Sequence, residues 1–174
     1  LTAIVTVADD GGSSGRLRED FQMIAPGDLR NCLVALAEKE GLMEELFQYR
    51  FTKGAELSGH SFGNLFLTAM TQVLKDDVEK ALEASSKILR VRGRVIPSST
   101  EEIKLIAKLT DGTIVEGESN IPNAGKPIVK VYTEPHRPSP VGAALQAIDE
   151  ADAIILGPGS LYTSVMPNLL IDKV

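Results

Sequence analysis

Val7-Ala8-Asp9-Asp10-Gly11-Gly12-Ser13-Ser14-Gly15-Arg16-Leu17-Arg18 is the stretch on which the fold class turns. It follows the apolar, β-branched run Ala3-Ile4-Val5-Thr6-Val7, which reads as a buried strand. Two adjacent carboxylates end that strand, and glycines, serines and arginines follow. In open α/β sheets ligands bind at the carboxyl ends of strands. Glycines admit a ligand close to the backbone, and free N–H groups with hydroxyls can hold phosphate oxygens. Carboxylates beside such a cradle can hold a ribose, a base or a divalent cation. Asp-Gly alone would read as a plain turn between strand and helix. The full run, with both charge signs close together, points to a site.

A second strand-and-loop reading lies near the other end. Asp152-Ala153-Ile154-Ile155-Leu156 has the character of a compact buried strand. It runs into Gly157-Pro158-Gly159-Ser160-Leu161-Tyr162-Thr163-Ser164, whose glycines and hydroxyls at a helix start resemble a phosphate cradle in chemistry. Neither a Walker loop nor the Gly-x-Gly-x-x-Gly fingerprint is present. A simple βα turn explains Gly157-x-Gly159 about as well, and its weight comes from pairing with the Asp9 loop. Two such loops on one parallel sheet would line one crevice.

Between them the pattern changes period. Asp28 suits a helix N-cap before Leu29, Leu33 and Leu36. Leu42, Leu46 and Phe47 suggest a short helix, Leu65 to Leu74 a buried one, and Asp76-Asp77 the cap of the next. A β-like segment at Arg94–Pro97 follows. Thr110-Asp111-Gly112-Thr113 is a hairpin signal between Lys104–Leu109 and Thr113–Gly117. With a further strand at Ile128–Tyr132, this region, about 94–133, reads as a small antiparallel subsheet. Helical spacing resumes over Pro140–Ala151. The expected architecture is Rossmann-like and doubly wound, one α/β domain over 1–174 with a mostly parallel sheet and a small antiparallel insertion.

Composition bounds the function. The chain has 174 residues, 43% hydrophobic and 24% charged, with net charge −6. An acidic balance argues against non-specific nucleic-acid binding but leaves room for a local basic pocket. Cys32 is the only cysteine, so no intrachain disulfide is possible; a reducing, cytoplasmic setting is expected. Cys32 reads as packed in a helix. No apolar run is long enough to cross a membrane. The chain starts inside a strand pattern and stops just past an apolar stretch, which reads as a fragment of a larger fold.

Gly59-His60-Ser61-Phe62-Gly63-Asn64 could bind a polar ligand at a helix start. The plain alternative is Ser61 as an N-cap and His60 at the surface. No acid lies nearby in sequence to complete a Ser-His-Asp arrangement. Arg90, Arg92 and Arg94 alternate, as an anion clamp or a solvated edge. Met23, Met43, Met70 and Met166 read as core filler.

Taken together, Val5–Arg18, Pro26–Leu33, Gly59–Leu65, Val91–Pro97 and Leu156–Val165 resemble the CofD-like superfamily, and within it the gluconeogenesis factor (YvcK-type) branch. The resemblance implies a Rossmann-like fold of roughly twice this length, whose glycine-rich opening strand-loop and C-terminal part are absent here. It implies two functions from different classes. One is a regulatory protein that binds a nucleotide sugar, UDP-N-acetylglucosamine foremost, in central carbon metabolism and in bacterial cell shape and wall synthesis. The other is a 2-phospho-L-lactate transferase-like enzyme that uses magnesium and a nucleotide diphosphate-linked donor. A scaffold for a protein partner, with a vestigial crevice, is a third. No established reaction comes with the branch, so whether the protein is an enzyme stays open.

The transferases carry a motif resembling Pro-Asp-Leu-Asp where this chain has Asp28-Leu29-Arg30. A cation in place of the second acid weakens a metal site and favours an anionic ligand. The candidate ligand set is Asp9, Asp10, Gly11, Gly12, Ser13, Ser14, Gly15, Arg30, Asn31, His60, Asn64, Gly157, Pro158, Gly159, Ser160 and Asn168. No cofactor is required in the first reading; Asp9, Asp10 and Asp28 would bind magnesium in the second. The expected partner is a phosphorylated small molecule, with no nucleic acid, no membrane insertion and homo-oligomerisation left open.

Overall fold

The computed structural model describes residues 1–38 and 41–174. It opens with β1 (Thr2–Val5), followed by α1 (Gly12–Phe21), α2 (Pro26–Leu36), α3 (Gly41–Gln48), α4 (Phe62–Val73) and α5 (Val78–Ile88). Then come β2 (Arg94–Pro97), β3 (Lys104–Leu109), β4 (Ile114–Glu116), β5 (Ile128–Glu134), α6 (Gly142–Asp149) and α7 (Met166–Leu169). The fold is mixed α/β, with one parallel and one small antiparallel sheet.

β1 and β2 pair in parallel, Thr2 opposite Arg94 and Val5 opposite Pro97. Parallel neighbours need a long crossover, and α1 to α5 supply it. β3 is the centre of the antiparallel sheet, flanked by β4 and β5. Asp111 sets the β3–β4 turn by accepting the Thr113 N–H at 3.1 Å. The Lys126 ammonium bonded to its carboxylate, with that N–H, holds Asp111 down at about 2. The subsheet therefore begins at Lys104; Arg94–Pro97, expected within it, belongs to the parallel pair.

One core serves both sheets. Val5, Val7, Leu29, Leu33, Phe47, Leu67, Leu82, Leu105 and Val131 are buried in a single cluster. Phe47 anchors α3 through edge-on contacts with Phe62 and Phe66 of α4, centroids 5.8 and 4.9 Å away. Cys32 packs half-buried against this core. Of the methionines Met23 is buried, while Met43, Met70 and Met166 are half-buried.

Two helix starts separate the cap candidates. Asp77 caps α5, accepting the Lys80 N–H at 3.0 Å. Asp28 does not cap α2: Pro26 takes the first turn, Ala25 is the N-cap, and Asp28 sits inside the helix. Proline lacks an N–H and has its φ preset, so it starts the helix earlier than the acid would.

The second expected strand is not formed. Asp152–Leu156 makes no sheet pairing, and Ile155 is 86% exposed. A strand apolar on both faces needs neighbours on both edges and cover on both sides; the described residues supply neither. The glycine loop at 157–160 is likewise exposed and leads into a single π-turn, Leu161–Val165. No helix of the described residues is long and apolar enough to cross a membrane.

Candidate functional site

The end of β1 delivers Asp9 and Asp10 in opposite directions. Asp9 Oδ1 accepts the Gly11 N–H at 2.9 Å, while Oδ2 faces the start of α2, 2.7 Å from where a Cβ on Gly27 would stand. Asp10 Oδ1 accepts the Ser119 N–H at 2.9 Å, tying the first loop to the segment after β4. The turn requires Gly15, because a Cβ there would strike the Asp10 carbonyl group. Gly12 is exposed at φ +47°, the left-handed region that favours glycine.

Three segments bring acids to this end of the molecule. Burial and the neighbouring Asp9 charge push the Asp28 carboxyl upward, against a hydrogen bond with Asn31. Burial also raises Glu118, with Asp9, Asp10 and Asp28 adding to it and a hydrogen bond with Thr163 opposing. Glu118 is not among the residues the sequence singles out, whereas Thr163 lies in the hydroxyl-rich loop expected to line the crevice. The signal for Glu118 was the polar run after the hairpin, where Gly117 takes φ +94° against the Asp10 carboxylate.

Behind the acids lies a buried polar network. Ser13 Oγ and His60 Nδ1 are 3.0 Å apart. Asn64 Nδ2 donates to Ser13 Oγ at 3.2 Å and to Ser14 Oγ at 3.5 Å. Ser13 Oγ therefore accepts from Asn64 and shares a further hydrogen bond with the His60 ring nitrogen. Burial, with Arg16 and Arg50 nearby, lowers the His60 pKa, which keeps the ring neutral and Nδ1 able to accept. Asn64 Oδ1 is buried and finds no donor among the described residues. Ser61 is the N-cap of α4, accepting the Asn64 N–H at 3.2 Å. His60, whose plain reading was a surface position, is only 6% exposed, because its ring closes over α1.

Arg30 is 9% exposed. Its Nη2 donates to Asn31 Oδ1 at 2.7 Å, and its Nε is buried without a partner among the described residues. Its stem runs against α4 where Gly63 leaves space: a Cβ there would lie 2.5 Å from Arg30 Cδ and 2.6 Å from the Phe47 carbonyl oxygen. Asn31 itself is exposed.

Asp9, Asp10, Ser13, Ser14, Arg30, Asn31, His60 and Asn64 thus gather around α1, α2 and the start of α4. Thr163 reaches this group through Glu118. Gly157, Pro158, Gly159 and Ser160 are exposed, and a Cβ on Gly157 would meet nothing within 4 Å. The expected crevice between two strand ends is therefore reduced to the Thr163–Glu118 link. Asn168 turns inward, its Nδ2 donating to the Ser164 carbonyl at 3.2 Å and its Oδ1 buried without a partner among the described residues. Arg92 is an exposed side chain paired with Glu38 at 2.8 Å, which favours the solvated edge over an anion clamp. Among the described residues no three His, Cys, Asp or Glu side chains stand where they could hold a metal ion. Of the Asp9, Asp10 and Asp28 set, Asp9 Oδ1 is taken by Gly11 and Asp10 Oδ1 by Ser119, while Asp9 Oδ2 faces the helix that carries Asp28.

The family model described as 2-phospho-L-lactate transferase CofD matches residues 1–174. The chain belongs to the CofD family. Within it, the chain is 56% identical over 171 residues to the gluconeogenesis factor of Halalkalibacterium halodurans, covering 98% of this chain and 53% of that protein. It is 52% identical over 174 residues to the gluconeogenesis factor of Bacillus subtilis, covering 100% of this chain and 55% of that one. A crystal structure of a UPF0052 family protein from Bacillus halodurans superposes with a TM-score of 0.95 at 55% identity, over 99% of this chain and 55% of that chain. The chain thus spans about half the length of these CofD-family relatives.

Proposed function

We propose that the protein binds a nucleotide sugar, UDP-N-acetylglucosamine foremost, and acts as a regulator of the gluconeogenesis factor type, in central carbon metabolism and bacterial cell shape, within the cytoplasm. The observation that carries this reading is the meeting, at the end of β1, of acids from three segments with buried hydroxyls and amides. Asp9, Asp10 and Glu118 present an acceptor-rich wall. Sugar and ribose hydroxyls are donors that such a wall orients. Asn64 Oδ1, an acceptor without a donor, suits a hydroxyl, an acetamido N–H or a base N–H. Ser13 and Ser14 lie in the first turn of α1, where the helix dipole favours negative charge. Arg30, in place of a second acid, favours an anion directly rather than through a metal.

The test is calorimetry of UDP-N-acetylglucosamine with and without excess EDTA, plus mass spectrometry of the recovered nucleotide. Binding unchanged by EDTA, with the ligand recovered intact, is the expected result. Metal-dependent consumption of the nucleotide sugar would replace this reading by the magnesium-dependent transferase.

A further inference from the structure

Arginines from three segments approach one turn and the helix start that follows it. Arg16, from α1, donates through Nη2 to the Ser58 carbonyl at 2.8 Å. Its Nη2 stands 2.9 Å from where a Cβ on Gly59 would be. Arg50, from the other side, donates through Nη1 to the Gly59 carbonyl at 2.6 Å. Arg30, from α2, passes against Gly63 in the first turn of α4.

Among the described residues the charge at this place meets no ion pair, although Asp28 and Asp9 act on Arg30 and Asp20 on His60. Arg18, Arg92 and Arg137 each pair with a carboxylate. Arg16, Arg30 and Arg50 have no such pair among the described residues, in a chain where acids outnumber bases 24 to 18. Arg30 is the telling member. It is nine-tenths buried, yet its Nε has no acceptor among the described residues. A buried guanidinium with an unmet donor is costly. Asp28 and Asp9 favour the Arg30 cation, but neither makes an ion pair with it. Burial and the Arg50 charge both work against the Arg30 cation. The positive end of a helix of 12 residues adds to the same potential.

We propose that the turn Ser58–His60 and the start of α4 seat a phosphoryl group, held by Arg16 and Arg50 from solvent and by Arg30 from within. A multiply charged tetrahedral anion suits this place better than a single carboxylate, since two guanidinium groups flank the turn with a third packed behind the helix start, and guanidinium forks match phosphate oxygens. The seat rests on the nucleotide-sugar reading only for its occupant, which is then the diphosphate; Asp9 and Glu118 face the hydroxylated remainder of the ligand.

Inorganic pyrophosphate, UDP-N-acetylglucosamine and uridine, titrated into wild-type protein and into Arg50→Gln, test this. Wild type is expected to bind pyrophosphate and the nucleotide sugar, and Arg50→Gln to lose about tenfold for both, ~1.4 kcal/mol, with uridine unaffected. Arg16→Gln is the second variant, expected to show the same selective loss should Arg50→Gln disturb folding. Arg50→Lys should recover only part, as it restores charge without the fork. Pyrophosphate affinity unchanged in both glutamine variants, or no pyrophosphate binding by wild type, overturns the seat. If pyrophosphate binds and depends on Arg50 while the nucleotide sugar does not bind, the seat stands and the ligand reading fails. If the nucleotide sugar binds equally to wild type and both variants, the ligand reading stands and the seat fails.

Discussion

Ser13 Oγ and His60 Nδ1 lie 3.0 Å apart, across 47 residues of chain. This contact fixes the first turn of α1 to the start of α4, and so the acid loop to the arginine-lined turn. Protonating the His60 ring requires working against burial and the nearby Arg16 charge.

That requirement has a pH signature. The folded-state pKa of His60 lies below its ordinary 6.5. A base with a lowered folded pKa contributes stability above its unfolded value and loses it as pH falls through the folded value. His60→Gln, whose amide oxygen can still accept from Ser13, should cost about 1 kcal/mol at pH 7. The gap between wild type and variant should narrow as pH drops below 6.5. Urea titrations at several pH values measure it, and a gap constant with pH would show that His60 does not titrate against folding.

Gly63→Ala should destabilise by about 1–3 kcal/mol. The added methyl meets Arg30 Cδ at 2.5 Å and the Phe47 carbonyl oxygen at 2.6 Å, and the latter is backbone that cannot swing aside. Chemical denaturation reads the loss. A change under about 0.5 kcal/mol, ordinary for an unconstrained surface site, would refute the tight packing of α4 on Arg30.

Legibility in the sequence followed how local each signal was. The strand before Asp9, the Asp111-Gly112 hairpin and the Asp77 cap are set by a few adjacent residues, and the structure has all three. β2 looked like part of the antiparallel subsheet because a short apolar strand carries no mark of its partner; its pairing with β1 is a long-range choice. Asp152–Leu156 had strand composition, but composition cannot supply neighbours. In the site, Asp9, Ser13 and Asn64 stood out through their glycine-rich settings. Glu118 and Arg50 did not, since each joins the site only through folding, Glu118 by Thr163 and Arg50 by the Gly59 carbonyl.

Ile155→Lys should reduce self-association of the 174-residue chain. Ile154, Ile155 and Leu156 are 61%, 86% and 65% exposed in succession. An exposed, unpaired apolar segment is a template for contact with another copy, and a charge within it blunts that tendency. Sedimentation velocity should show less associated material, with folding stability changed by no more than about 0.5 kcal/mol. Equal association of both proteins would place the sticky surface elsewhere.

Glu118→Gln should leave stability at pH 7 unchanged or raise it, by less than about 1 kcal/mol. Burial lifts the Glu118 carboxyl above its ordinary 4.5, with Asp9, Asp10 and Asp28 adding to it. A carboxyl raised in the fold contributes stability below its unfolded pKa and loses it as pH rises through the folded value. Wild type therefore carries a like-charge penalty at pH 7 that the amide removes. The Thr163 hydroxyl can still donate to the glutamine oxygen, so the link to the π-turn is kept. The advantage of the variant should shrink as pH falls below the ordinary 4.5 and grow towards pH 7. Ligand affinity should move the other way: if Glu118 orients a sugar hydroxyl, the weaker amide acceptor lowers binding of UDP-N-acetylglucosamine while leaving pyrophosphate untouched. A variant less stable than wild type at pH 7 would mean that Glu118 answers a positive partner rather than sharing space with three acids.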